Sequence, residues 1–189
     1  MHSTVQRFNA VTALATSVIL CLLAMVGFTS FPIHKPNANV LVNDIKVISG
    51  RAQWHMDRRT QDFLETRFDV DVDLSSLFNW NTKQVFVYLS AEYDSKDHEL
   101  NQAVIWDRIV RRKEDAHVVI KDQTHKYGLR SVNKSFDDVN NVTLTLKWNV
   151  MPKVGWLTFG DERGSGSIRV PSKQLGSDGA AVKPQRLYY

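Results

Sequence analysis

Two tripeptides in this 189-residue chain have the spacing of an N-glycan acceptor, Asn133-Lys134-Ser135 and Asn141-Val142-Thr143. That chemistry needs an asparagine amide with a hydroxyl two residues on and no proline between, and both meet it. Asn141 is favoured, because it opens a strand-like run beside a turn and carries threonine as third residue. Asn133 is the second candidate, and an ordinary loop asparagine explains it equally well.

Other groups could do chemistry but lack the company it requires. Asp69, Asp71 and Asp73 mimic the start of a calcium loop. Such a loop needs glycine at its sixth position and glutamate at its twelfth, where this chain has Leu74 and Trp80. The solvated face of a half-buried strand accounts for the aspartates better. The histidines are His2, His34, His55, His98, His117 and His125, and no two have the spacing of a metal-ligand pair. No metal and no cofactor is therefore expected. A Ser–His–Asp triad can assemble across distance, so composition leaves it open. There is, however, no G-x-S-x-G elbow, and no serine has a recognisable nucleophile setting. Gly160–Gly166 (GDERGSG) lacks the G-K-[ST] ending of a phosphate loop. The basic run Arg108–Lys113 is followed at once by Glu114 and Asp115, so a solvated edge explains it and no nucleic-acid footprint is indicated.

The elements that must position these residues divide sharply by charge. The chain carries 24 Lys+Arg and 20 Asp+Glu, yet Arg7 is the only one of them in the first 31 residues. Residues 11–31 (VTALATSVILCLLAMVGFTSF) are uncharged and end at Pro32. As a helix this run reaches about 30 Å, the thickness of a bilayer's hydrocarbon core. A cleaved signal peptide would have a shorter apolar run and small residues at an A-x-A-like site. Here Ala24 is paired with Leu22 and Gly27 with Met25, so a retained signal-anchor is expected. Arg7 before the span and the sequons beyond it favour a short inner N-terminus at residues 1–10. The bulk then lies across the membrane. The single cysteine, Cys21, sits inside the span and reads as a packing residue.

Beyond Pro36 strand signals dominate. Val40–Ile48 is rich in β-branched residues. Phe68, Val70, Val72 and Leu74 alternate with the three aspartates. Val85–Tyr93 is apolar on both parities, which suits a central strand. Ala103–Val110, Val118–Lys121 and Asn141–Met151 continue the series, and Trp156–Phe159 and Ser167–Val170 flank GDERGSG as an expected turn. About eight strands at this spacing predict an all-β, antiparallel, sandwich-like domain over residues 32–171, after one N-terminal transmembrane helix. A short helix is expected at Arg58–Glu65, and residues 172–189 read as a flexible tail. A domain of this size can bury enough apolar surface without disulfides.

Three strings are distinctive rather than degenerate: Phe78–Tyr93 (FNWNTKQVFVYLSAEY), Leu100–Val110 (LNQAVIWDRIV) and Asn140–Pro152 (NNVTLTLKWNVMP). On them the chain resembles the 22/23-kDa glycoprotein subunit family, the third subunit of the eukaryotic signal peptidase complex, to about Pro171. The resemblance implies a single-pass type II protein of the endoplasmic reticulum membrane with a lumenal, glycosylated β domain. It implies that the catalytic serine, histidine and aspartate belong to another subunit, and that this one supports assembly and activity. Expected partners are the catalytic and other subunits of that complex, the lipid bilayer and, indirectly, nascent signal peptides. Of the family's functional residues only the glycosylated asparagine carries over, onto Asn141. The surroundings of Trp80, Trp106, Trp148 and Trp156 are candidate contacts, although core packing is the simpler reading of each. Two alternatives stay open: a free-standing lumenal hydrolase with a dispersed triad, and a lumenal peptide- or carbohydrate-binding sandwich.

Overall fold

The computed structural model describes residues 3–30, 35–52, 60–171 and 185–187. Helix α1 runs Thr4–Thr29 and is long and apolar enough to cross a membrane. It begins before the uncharged run and takes in Arg7, because no breaker separates Thr4 from Val11. At 1.5 Å per residue it is about 39 Å long, enough to span a bilayer core with a turn or more to spare or with a tilt. Its hydroxyls are satisfied within the helix: Thr12, Thr16, Ser17 and Thr29 each donate to the carbonyl four residues back, at 3.0, 2.8, 3.0 and 2.8 Å.

The strands are β1 (Asn37–Ala52), β2 (Gln61–Asp73), β3 (Thr82–Tyr93), β4 (Asn101–Val110), β5 (His117–Thr124), β6 (Leu129–Arg130), β7 (Asn141–Pro152), β8 (Thr158–Arg169) and β9 (Gln185–Leu187). They form two sheets. One has the order β5-β2-β1-β9, with β6 also on β2; the other is β4-β3-β7-β8. Apart from the parallel β1–β9 pair, every pairing is antiparallel.

The core lies between the sheets and follows from period-2 patterning. Phe68, Val70, Val72 and Leu74 are all fully buried, while Asp71 and Asp73 on the other face are exposed. Val85, Val87 and Leu89 of β3 meet Leu144, Leu146 and Trp148 of β7 in the same interior. In β1 the buried parity switches from Val40 to Ile45 and Val47 at a bulge between Val42 and Asp44. A one-residue slip would otherwise turn the hydrophobic set outward.

Two expectations fail. The helix expected at Arg58–Glu65 is strand from Gln61 onward, and Arg58 and Arg59 lie outside the described residues. Phe63 there pairs with Ile48 on one side and with Arg130 on the other, and both Phe63 and Leu64 are buried. Two-sided pairing overrides a weak helical preference. GDERGSG is no turn: β8 runs through it, with its extra length taken up opposite Thr143–Thr145. Gly160 is there for a different reason. A Cβ on it would come within 2.6 Å of the Trp148 indole, so only glycine lets that ring lie against the strand. Of the expected tail, residues 185–187 pair with Gly50–Ala52 of β1, and the rest lies outside the described residues.

Candidate functional site

The helix meets the sandwich at one place only among the described residues. Register puts the start of β1, the end of β2, the starts of β3 and β5, the end of β4, the end of β7 and the start of β8 at one end of the sandwich. The last turn of α1 docks on that end.

The chain turns there on Asn79–Asn81. The Asn81 N–H donates to Asn79 Oδ1 at 2.9 Å, and Thr82 Oγ1 donates to the Leu77 carbonyl at 2.9 Å, which sets the loop before β3. The Asn79 side-chain amide then donates to the Ser30 carbonyl at 2.7 Å. Asn81, buried, donates from Nδ2 to Ser30 Oγ and to the Val154 carbonyl, both at 2.7 Å. Its Oδ1 accepts the Val154 N–H at 3.1 Å. One amide thus uses both donors and its acceptor to tie the helix end to the turn between β7 and β8.

Backbone contact completes the joint. Gly155 has φ +111°, which favours glycine, and a Cβ on it would stand 3.3 Å from the Gly27 Cα. A Cβ on Gly27 would meet Gly155 at an ordinary 3.7 Å. Beside this contact Phe28 and Trp156 pack edge to face with centroids 5.6 Å apart. The joint is therefore geometric: directional amides plus a close backbone approach.

Asp73, at the same end, accepts the Ser75 N–H at 2.9 Å. The Ser75 hydroxyl and N–H hold its carboxyl below the usual carboxylate range. His117 is exposed and lies 2.8 Å from Asp71. His98 is exposed as well, and His125 is buried with its Nδ1 accepting the Thr66 N–H at 3.3 Å. Burial pushes the His125 pKa below its ordinary 6.5. His2, His34 and His55 lie outside the described residues. Asp69 accepts from Asn43 at 2.7 Å and from the Asp122 N–H at 2.6 Å, so it is held by protein donors. Among the described residues no group of His, Cys, Asp or Glu could hold a metal.

The four candidate tryptophans split, and the fifth, Trp54, lies outside the described residues. Trp106 and Trp148 are buried core, which corrects their candidacy as contacts. Trp80 and Trp156 are 64% and 57% exposed, and both flank the helix joint.

The sequon asparagines lie at the opposite end of the sandwich. Asn141 begins β7, eleven residues and about 36 Å of strand from Pro152. It is exposed. Asn133 is exposed too, but its amide donates to Asp97 at 2.8 Å and to Asp138 at 3.4 Å. Ser135, third in that sequon, is engaged with Asp62 at 3.1 Å and Asp137 at 2.7 Å. A cavity of about 460 Å³ opens at this end, and among the described residues Phe136 is its one aromatic lining residue, which does not favour a carbohydrate binder.

The asparagine latch was invisible to sequence reasoning. Its partners are 49 to 73 residues apart, and N-W-N-T reads locally as a polar turn.

A family model described as "Signal peptidase subunit" matches residues 1–173. The chain is 35% identical to signal peptidase complex subunit 3 of Yarrowia lipolytica, over 90% of this chain and 98% of that protein. It is 32% identical to the Saccharomyces cerevisiae protein of the same name, over 92% and 98%. It is 34% identical to the Homo sapiens one, over 90% and 94%. The matched stretch takes in the helix, the joint and all but the last of the described strands, and on that match the chain belongs to the signal peptidase subunit family.

Proposed function

We propose that this chain is a non-catalytic, accessory subunit of a signal peptidase complex. It would be anchored by α1 in the endoplasmic reticulum membrane as a type II protein with its sandwich in the lumen. Its work is positional. The observation that carries this reading is the joint at Ser30, Asn81 and Gly155, which fixes the sandwich against the end of the span. A domain held at fixed depth can hold a partner's nucleophile at fixed depth. Placement of that kind changes rates greatly without donating a reactive group. Signal peptides are then met only indirectly, through the catalytic subunit.

The outward face of the four-stranded sheet suits a protein partner. Phe86 and Tyr88 stack there with centroids 5.3 Å apart. On the same register row Ile109 is 47% and Phe159 72% exposed. Exposed apolar surface of this kind marks association sites. We assign the glycan to Asn141, whose free amide and distance from the joint suit an acceptor, over the doubly engaged Asn133. Asn141→Gln should raise electrophoretic mobility by one glycan, and Asn133→Gln should leave it unchanged.

The experiment for the accessory role is reconstitution with and without this chain. The catalytic subunit should co-purify with it in mild detergent, and this chain alone should not cleave a pre-protein. Cleavage by the isolated chain would contradict the reading, as would failure to find any peptidase bound to it.

A further inference from the structure

The end of the sandwich that holds α1 carries a collar of exposed aromatic and basic side chains, of which, among the described residues, only Trp156 also packs on the helix, against Phe28. Trp80 projects from the loop before β3, and Trp156 and Leu157 from the turn between β7 and β8, at 64%, 57% and 48% exposure. Both segments are tied to the helix's last turn, at Ser30 and Gly27. Whatever plane the helix leaves, these side chains stand beside it.

Around them are Lys35, Lys83, Arg111, Arg112, Lys113 and Lys153, all exposed. None is held in an ion pair by another described residue. Lys153 Nζ lies 3.4 Å from the Trp80 backbone carbonyl, so a cation sits against the loop that carries that indole. Asp73, Glu114 and Asp115 lie at the same end and lower its net charge without reversing it.

An indole has an apolar body and one N–H donor, and it settles where acyl chain meets headgroup. Lysine and arginine reach from apolar stems to phosphate oxygens. We infer that Trp80, Trp156 and the surrounding cations form a lipid-binding collar, with the indoles at headgroup depth and the cations on the phosphodiesters. The leaflet is the one from which the C-terminal end of α1 emerges. The occupant is lipid and not protein because the collar is continuous with the membrane helix itself and is locked to it. The inference rests on the anchor reading of α1, and it adds a second contact that sets the tilt and height of the sandwich.

The test uses the full chain in phosphatidylcholine nanodiscs doped with lipid spin-labelled on its headgroup, read by tryptophan fluorescence. Headgroup label should quench a third or more of the emission, and label at the acyl terminus far less. In a Trp54→Phe background, Trp80→Phe with Trp156→Phe should remove most of that quenching, because Trp106 and Trp148 are buried. Arg111→Glu, Arg112→Glu and Lys153→Glu together should at least halve it. Equal quenching of wild type and the tryptophan double variant would overturn the collar. Quenching that disappears once the catalytic subunit is bound would overturn it too, by showing a protein occupant. Unchanged quenching in the charge variant would overturn the role of the cations. In each of these cases the chain stays in the disc and the anchor reading stands. A chain that does not enter discs at all would sink both.

Discussion

The interior of the sandwich and its joint with the helix are built on opposite principles. The interior is held by area: Phe68, Leu89, Leu144 and Leu146 are fully or almost fully buried and make no directional demand. The joint is held by direction. Three hydrogen bonds of the Asn81 side chain and one backbone approach at Gly155 define it, with little apolar area behind them. The interior should therefore govern whether the domain is folded, and the joint should govern where the folded domain sits.

The sharpest break between the two is expected from Phe68→Ala. Emptying that site should cost about 3–5 kcal/mol of domain stability, read as a lowered urea midpoint. Asn81→Ala should come next. It strips partners from Ser30 Oγ and from both polar groups of Val154, at about 1–3 kcal/mol. Its distinguishing sign is faster amide exchange confined to Ser30 and Lys153–Trp156, with the exchange of β3 and β7 interiors retained. If Asn81→Ala loosened the whole sandwich instead, the separation of roles would be wrong.

Gly155→Ala tests the backbone half of the joint. A Cβ there is strained by φ and crowded by Gly27, at about 1–3 kcal/mol. Gly27→Ala should be near neutral, since its Cβ meets only ordinary contact. Comparing the two melting curves checks that asymmetry, and equal losses would contradict it.

The smallest effect is titration of the interior. His125 is buried neutral, so its folded pKa lies below 6.5 while the unfolded chain titrates near that value. Between the two, the unfolded chain binds more protons. Stability is then full above about pH 6.5 and declines as pH falls toward the depressed folded value. His125→Gln should flatten that part of a stability–pH curve.

The interior was readable in the sequence and the joint was not, for a physical reason. Strand burial imposes period 2 on neighbouring residues, so Phe68–Leu74 and Val85–Tyr93 declare themselves locally. A joint made by Ser30, Asn81 and Val154 has no period. Its glycine, Gly155, looks like any turn glycine until its neighbour Gly27 is known. The same blindness explains GDERGSG. Glycine was read there as a breaker, whereas Gly160 is the floor beneath the Trp148 ring, and Trp148 is twelve residues away in sequence but adjacent in the sheet. Where a residue's role is contact with its own strand, sequence shows it. Where its role is to admit another element, only the folded chain does.

On the proposed reading a rigid joint sets the depth at which the complex cuts. The direct measurement is the cleavage position and rate on one pre-protein, by mass spectrometry, for complexes reconstituted with wild type or with Asn81→Ala plus Gly155→Ala. Loosening the joint should leave assembly intact and give a slower cut spread over neighbouring peptide bonds. Intact assembly with an unchanged site and an unchanged rate would contradict it.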